Sequence, residues 1–241
     1  MKNQLLGAEY LFEGLKLIAK PGLRRFVVIP VLLNVLIFTG LFWLAIHYWQ
    51  EFTQWISAYL PHWLQWLQWL LWIAFFLLGI IILFYTFTTI ANLIAAPFNN
   101  LLAEKVELYL TGTVSPSAEG VWGAIKSIPS AFGRQFRLIS YYLLRAGLLL
   151  ILSLLPMIHP IATIAWFVFT AWMAALQYLD YPMDNHRISV KQMREHVSQK
   201  RLMTLGFGGT VMLFTMIPIV NFFIMPAAVA GATAFWVEQF K

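Results

Sequence analysis

From Phe26 to Ala103 the chain carries a single formal charge, Glu51, and no lysine or arginine stands between Arg25 and Lys105. A soluble fold cannot hide so long an uncharged stretch from water, whereas a bilayer takes it as ordinary content. Phe26 to Gln50 alone supplies 25 uncharged residues, and about 20 cover the hydrocarbon core. Pro30 lies inside this run and predicts a bend in its first turns, because the ring removes a backbone hydrogen bond. Composition agrees. Of 241 residues 61% are hydrophobic and only 11% charged, against roughly 25% charged in soluble domains. The expectation is an all-α integral membrane protein built as one membrane domain, 1–241.

The segments follow from the pattern of charge and proline. Residues 1–20 read as an amphipathic helix lying at the interface, with Leu5, Leu6, Tyr10, Leu11, Phe12, Leu15 and Ile18 set against Glu9, Glu13, Lys16 and Lys20. Those charges also argue against a removable signal peptide. Pro21-Gly22 stops the helix. Residues 22–110 read as a long transmembrane hairpin, its tip marked by Trp55, Tyr59, Pro61 and Trp63, residue types that favour the membrane boundary. The return helix begins near His62; carried unbroken to Leu110 it would run roughly 70 Å, so it either tilts and projects into the cytoplasm or bends near Pro97.

Residues 112–120 read as a loop, followed by two short amphipathic cytoplasmic helices divided at Pro129. Two uncharged runs remain, Ala146–Leu179 with 34 residues and Leu202–Val237 with 36. Two full spans with a turn need more than about 42 residues. Each run has prolines near its middle, Pro156 and Pro160 in one, Pro218 and Pro226 in the other. Each is expected to be a re-entrant, half-spanning helical hairpin, one closing the segment 120–179 and one closing 187–241. The tips Leu155–His159 and Ile217–Asn221 resemble each other, which raises a duplicated hairpin. With this topology all 16 lysines and arginines fall on one side. By the positive-inside rule that side, with both termini, is cytoplasmic. The net charge of +6 is then accounted for by cytoplasmic loops rather than by nucleic acid.

No catalytic constellation stands out, and no cofactor motif. Gly120–Ser127 has Ile125 where a phosphate loop needs glycine before its lysine, so that motif fails. His186 and His196 lack a third ligand at metal spacing, and no cysteine is available. The chemistry-bearing stretch is Gly22-Leu23-Arg24-Arg25. Glycine admits close approach to the backbone, a helix N-terminus presents unpaired N–H groups, and arginine forks match tetrahedral oxyanions. Interfacial arginines also anchor topology by reaching for headgroups, and both readings stay open on the residues alone. Glu104 and Glu107, at i and i+3, are expected either to pair with Arg24, Arg25 or a loop arginine, or to lie on a solvated face. Asn34, Asn99 and Asn221 are polar groups in or beside apolar runs. They read as helix–helix glue or as pore-lining groups. His159, at a hairpin tip, is a candidate for interior hydrogen bonding or for lining a path.

Several blocks together resemble the CysZ-type sulfate permease family of bacterial inner membranes. They are Pro21–Phe26, Thr89–Asn92 with Ala95–Asn99, Leu101–Glu104, Asp180–His186, Thr215–Pro218 and Ile224–Ala234. The resemblance covers nearly the whole chain. It implies sulfate entry without ATP hydrolysis, channel-like or proton-coupled, supplying cysteine biosynthesis. It further implies two long transmembrane helices, two half-penetrating hairpins, and a homo-oligomer (a dimer or higher) in the lipid bilayer. It places the sulfate site on Gly22, Leu23, Arg24 and Arg25. A membrane scaffold or regulator that binds sulfate without transporting it is the other class consistent with these residues; an enzyme is not expected.

Overall fold

The structure is a computed structural model and describes residues 7–59, 68–113 and 128–241. It is helical throughout: α1 Glu9–Ile18, α2 Arg25–Tyr59, α3 Gln68–Thr111, α4 Ile128–Ser153, α5 His159–Asn185, α6 Val190–Gln199, α7 Arg201–Thr215 and α8 Pro218–Gln239. Two compact units result, one formed by residues 1–27 with 97–241, the other by residues 28–96.

The first unit is organised around α8. Ala227, Ala228, Ala230, Gly231, Ala232 and Ala234 are buried along it, with Phe235 and Trp236 at its C-terminal end. Small side chains let neighbouring backbones approach closely, which replaces the hydrophobic drive that lipid does not provide. A Cβ on Gly14 of α1 would lie 1.9 Å from the Ala227 carbonyl oxygen, and one on Gly231 would lie 2.2 Å from that of Tyr10. The apolar stripe of α1 (Tyr10, Leu11, Leu17, Ile18) is buried in this unit's core. Tyr10 stacks on Phe235 at 4.7 Å, and its hydroxyl donates to Glu238 and accepts from Gln239. Burial pushes the Tyr10 phenol well above its ordinary pKa. The α5–α7 contact follows the same rule, with a Cβ on Gly208 falling 1.9 Å from the Ala171 carbonyl oxygen.

Helices α4 and α5 form one helical hairpin and α7 and α8 another. In the first, residues 154–158 make the turn, Trp166 Nε1 donates to Ser153 Oγ at 3.0 Å, and Met157 stands 94% exposed at the tip. In the second, Met216 and Ile217 make the turn and Pro218 opens the helix. The two prolines that made the tips look alike thus differ in role, since Pro156 sits in a turn three residues ahead of α5. Between the hairpins, α5 ends on a left-handed residue, Arg187, at φ 56°. The Ile188 and Arg187 amides donate back to Met183 and Asp184 at 3.0 and 2.7 Å, a Schellman ending normally given to glycine. Ser189 and Gln192 then form a capping box at the start of α6.

In the second unit α2 and α3 touch through aromatic rings, Phe38 with Phe84 and Phe87, and Trp49 with Trp72 and Phe76. Among its described residues many other large apolar side chains are exposed, including Leu36, Trp43, Ile46, Ile81 and Tyr85. By length and composition Arg25–Glu51, Gly133–Ser153 and His159–Asn185 are each able to cross a membrane.

Two expectations need correction. The stretch from Phe52 is not turn-like: α2 continues helically to Tyr59, and residues 60–63 of the expected tip lie outside the described residues. Trp and Tyr mark a depth in the bilayer, not a backbone conformation. Pro129 stands in the first turn of α4, where a missing N–H costs no helical bond, and the helix it opens is not short but runs 26 residues to Ser153. The residues ahead of it, 114–127, and with them most of the expected loop, are outside the described residues. The return helix α3 is one 44-residue element that includes Pro97.

A candidate anion site at the α1–α2 turn

The turn between α1 and α2 is built by hydrogen bonds that use up most of its amides. Lys20 N–H donates to Leu17, Leu23 and Arg24 N–H both donate to the Lys20 carbonyl, Phe26 donates to Leu23 and Val27 to Arg24. The amides of Gly22 and Arg25 are left without a backbone acceptor among the described residues. Gly22 stands at φ +90°, and a Cβ there would meet nothing within 4 Å. The glycine is needed for its backbone angle, not for space. Leu23, 4% exposed, pins the turn into the core of the first unit. Arg24 and Arg25 are exposed, and neither joins an ion pair among the described residues. The Arg25 guanidinium lies 5.0 Å from the centre of the Phe26 ring. Two unpaired forks, two unpaired amides and the positive end of the 35-residue α2 therefore gather at one turn.

Glu104 and Glu107 are buried, so the solvated face is excluded, and neither carboxylate pairs with Arg24 or Arg25. Glu104 pairs with its neighbour Lys105 at 2.9 Å. Glu107 is 0% exposed and accepts from His186 Nε2 at 2.8 and 2.9 Å and from Lys241 Nζ at 2.8 Å. His186 packs against Trp236, and Lys241 also reaches Thr113. One carboxylate thus joins the ends of α3 and α5 and the residues after α8. Asn99 acts as glue, donating from Nδ2 to the Tyr181 hydroxyl at 3.3 Å, and Asn185 donates to the Asn100 carbonyl alongside. His159 Nδ1 lies 3.1 Å from the Ser153 carbonyl, across the first hairpin turn. Asn221 is exposed. Asn34 lies in the second unit with a buried Oδ1 that has no partner among the described residues.

Charge clusters that the sequence reading passed over are also present. Arg134 of α4 donates from Nε to Asp180 at 2.7 Å and from Nη1 to the Ile188 carbonyl, with Asp184 at 3.2 Å. Their separation along the chain hides them. Only the Ser189-x-x-Gln192 capping signal was readable locally.

A family model described as Sulfate transporter CysZ/Etoposide-induced protein 2.4 matches residues 10–226. The match takes in the α1–α2 turn, the long helices, the first hairpin and the turn of the second. Described residues that are almost wholly helical, with three helices long and apolar enough to cross a membrane, are consistent with it, and the chain belongs to this sulfate transporter family.

Proposed function

We propose that the protein carries sulfate across the bacterial inner membrane into the cytoplasm, where it supplies cysteine biosynthesis. The observation that carries this reading is the Gly22–Arg25 turn, with two exposed arginines and two unpaired amides at a helix start. Sulfate is gathered there by bidentate N–H contacts from Arg24 and Arg25, and Gly22 lets an oxygen reach the backbone. The turn lies on the side that holds all the basic residues, so it faces the cytoplasm and acts at the exit of the path. The exposed apolar surface of the second unit supports burial in the bilayer and assembly there into a dimer or higher oligomer. Helix α6 is polar along most of its length and packs beside α4. Only the part of α4 beyond Arg145 is then left for the lipid interior, which supports a half-spanning first hairpin.

Moving one charge through 100 mV is worth about 2.3 kcal/mol, so divalent sulfate enters against roughly 4.6 kcal/mol. A passive route needs fast removal of sulfate inside. A proton-coupled one needs a free titratable group on the path. Glu104 and Glu107 are held by cations and His159 stands at a hairpin turn, which favours the channel-like mode. Sulfate flux into liposomes containing only this protein tests the proposal. Flux should exceed that of empty vesicles, be insensitive to an imposed pH gradient, and fall when Arg24 and Arg25 are replaced by alanine. Absence of flux with sulfate binding intact would make the protein a sulfate-binding scaffold instead.

A further inference from the structure

Tyr141 of α4 carries two guanidinium groups. The Arg145 carbon lies 3.7 Å from the ring centre and that of Arg194, from α6, lies 4.0 Å from it. Two planar groups cannot share one face of a single ring at those distances without overlapping, so they occupy opposite faces. Arg145 reaches its face from one helical turn further along, since side chains lean toward the helix N-terminus. The two cations are within about 8 Å of each other across the ring, where like charges repel unless an anion joins them. Among the described residues neither arginine forms an ion pair, and the Tyr141 hydroxyl makes no hydrogen bond. All three side chains are partly exposed. On α5, which packs against α4, Asp180 and Asp184 are already committed to Arg134, and Glu195, next to Arg194 in the chain, is exposed.

From this arrangement we infer a second oxyanion site, at the phenol edge of Tyr141, where both arginine forks and the hydroxyl offer donors to one tetrahedral anion. Arginine forks suit such a ligand, and the ring holds them in place. The depth of the site indicates its source. On one side lies α6, with Lys191, Gln192, Glu195, His196, Ser198 and Gln199. On the other, α4 runs uncharged from Ala146 to Ser153. Arg145 and Tyr141 thus mark the boundary of the apolar layer, the level at which phospholipid phosphates lie. The ligand is a phosphate or sulfate oxyanion, and an anionic phospholipid is its membrane source. The site is separate from Gly22–Arg25 and does not rest on the transport reading.

The test has two arms on the purified full chain. In one, native mass spectrometry follows retention of phosphatidylglycerol against phosphatidylcholine; in the other, equilibrium binding of radiolabelled sulfate is measured in detergent. The R145Q/R194Q variant should bind phosphatidylglycerol about 30-fold more weakly, with phosphatidylcholine unchanged, and R194Q alone about fivefold more weakly. Loss of one sulfate equivalent with lipid retention unchanged would assign the site to the free ion. Unaltered binding in both arms would overturn the site and leave the arginines as packing groups. If the double variant does not fold, R194Q, at a half-exposed position of α6, decides by the same criterion. The R24A/R25A variant should leave phosphatidylglycerol retention untouched, so the two sites fail separately.

Discussion

Replacing Glu107 by glutamine removes one negative charge and almost no volume, which isolates the electrostatic role of the buried carboxylate. In the native protein Glu107 is fully buried and accepts from His186 Nε2 and Lys241 Nζ, both at 2.8 Å. Removing one partner of a buried pair costs roughly 3–5 kcal/mol, because the other is left uncompensated. Here the stranded side chains are not sealed in: Lys241 keeps 35% of its side-chain surface and His186 keeps 16%. Both can partly recover water, so the loss should sit at the lower end, at about 3 kcal/mol. Lys241→Met should cost less, about 2 kcal/mol, since His186 still serves the carboxylate. In the E107Q/K241M double variant the two losses should fall short of additivity by about 1–2 kcal/mol. Reversible unfolding in mixed micelles with increasing SDS reads all three variants on one scale. If E107Q lies within about 0.5 kcal/mol of the native protein, the carboxylate does not bind these helix ends together and the reasoning is wrong.

Further outcomes follow from backbone geometry. Gly14→Ala drives a methyl group against the Ala227 carbonyl oxygen, 1.9 Å from the new carbon. It should destabilise α1–α8 packing by about 3 kcal/mol, seen as a lower melting temperature in detergent; an unchanged melt would mean that the crossing is looser than described. Arg187→Gly relieves a left-handed residue at the end of α5 and should stabilise by about 1 kcal/mol in the SDS titration, whereas a destabilised variant would point to a needed side-chain contact. Gly22→Ala meets no atom but must hold φ near +90°, a strain of about 1–3 kcal/mol. Sulfate binding should weaken while the melt moves little, and full affinity would remove the turn from the anion site.

The physics of single segments was legible in the chain; the physics of pairs was not. The end of α1 at Pro21-Gly22, the start of α2 at Arg25 and the turn at Pro156 all follow from local rules about proline, glycine and charge. Pro129 does stand at a helix start, the first turn of α4, but local rules did not show that this helix runs on unbroken to Ser153. The continuation of α2 to Tyr59 was hidden because aromatic residues report environment more strongly than conformation. Glu107 was singled out correctly, yet its partners lie 79 and 134 residues away, and no spacing rule reaches that far. Tyr141 and Arg145 are one helical turn apart and readable as a pair; Arg194, the residue that completes the sandwich, is not.

One feature of the chain path bears on mechanics more than on chemistry. The backbone passes between the two units only twice, at Val27–Val28 in α2 and at Ala96–Pro97 in α3. Each crossing carries a proline, Pro30 just beyond the first and Pro97 at the second. At both places a carbonyl one turn back, Phe26 or Leu93, loses its helical N–H partner. Bending stiffness therefore falls at the two joints while the helices on either side keep theirs. Torque applied to the exposed aromatic pair of helices would be relieved at two peptide units. Alanine at both positions would restore the two missing hydrogen bonds and stiffen each helix at its joint.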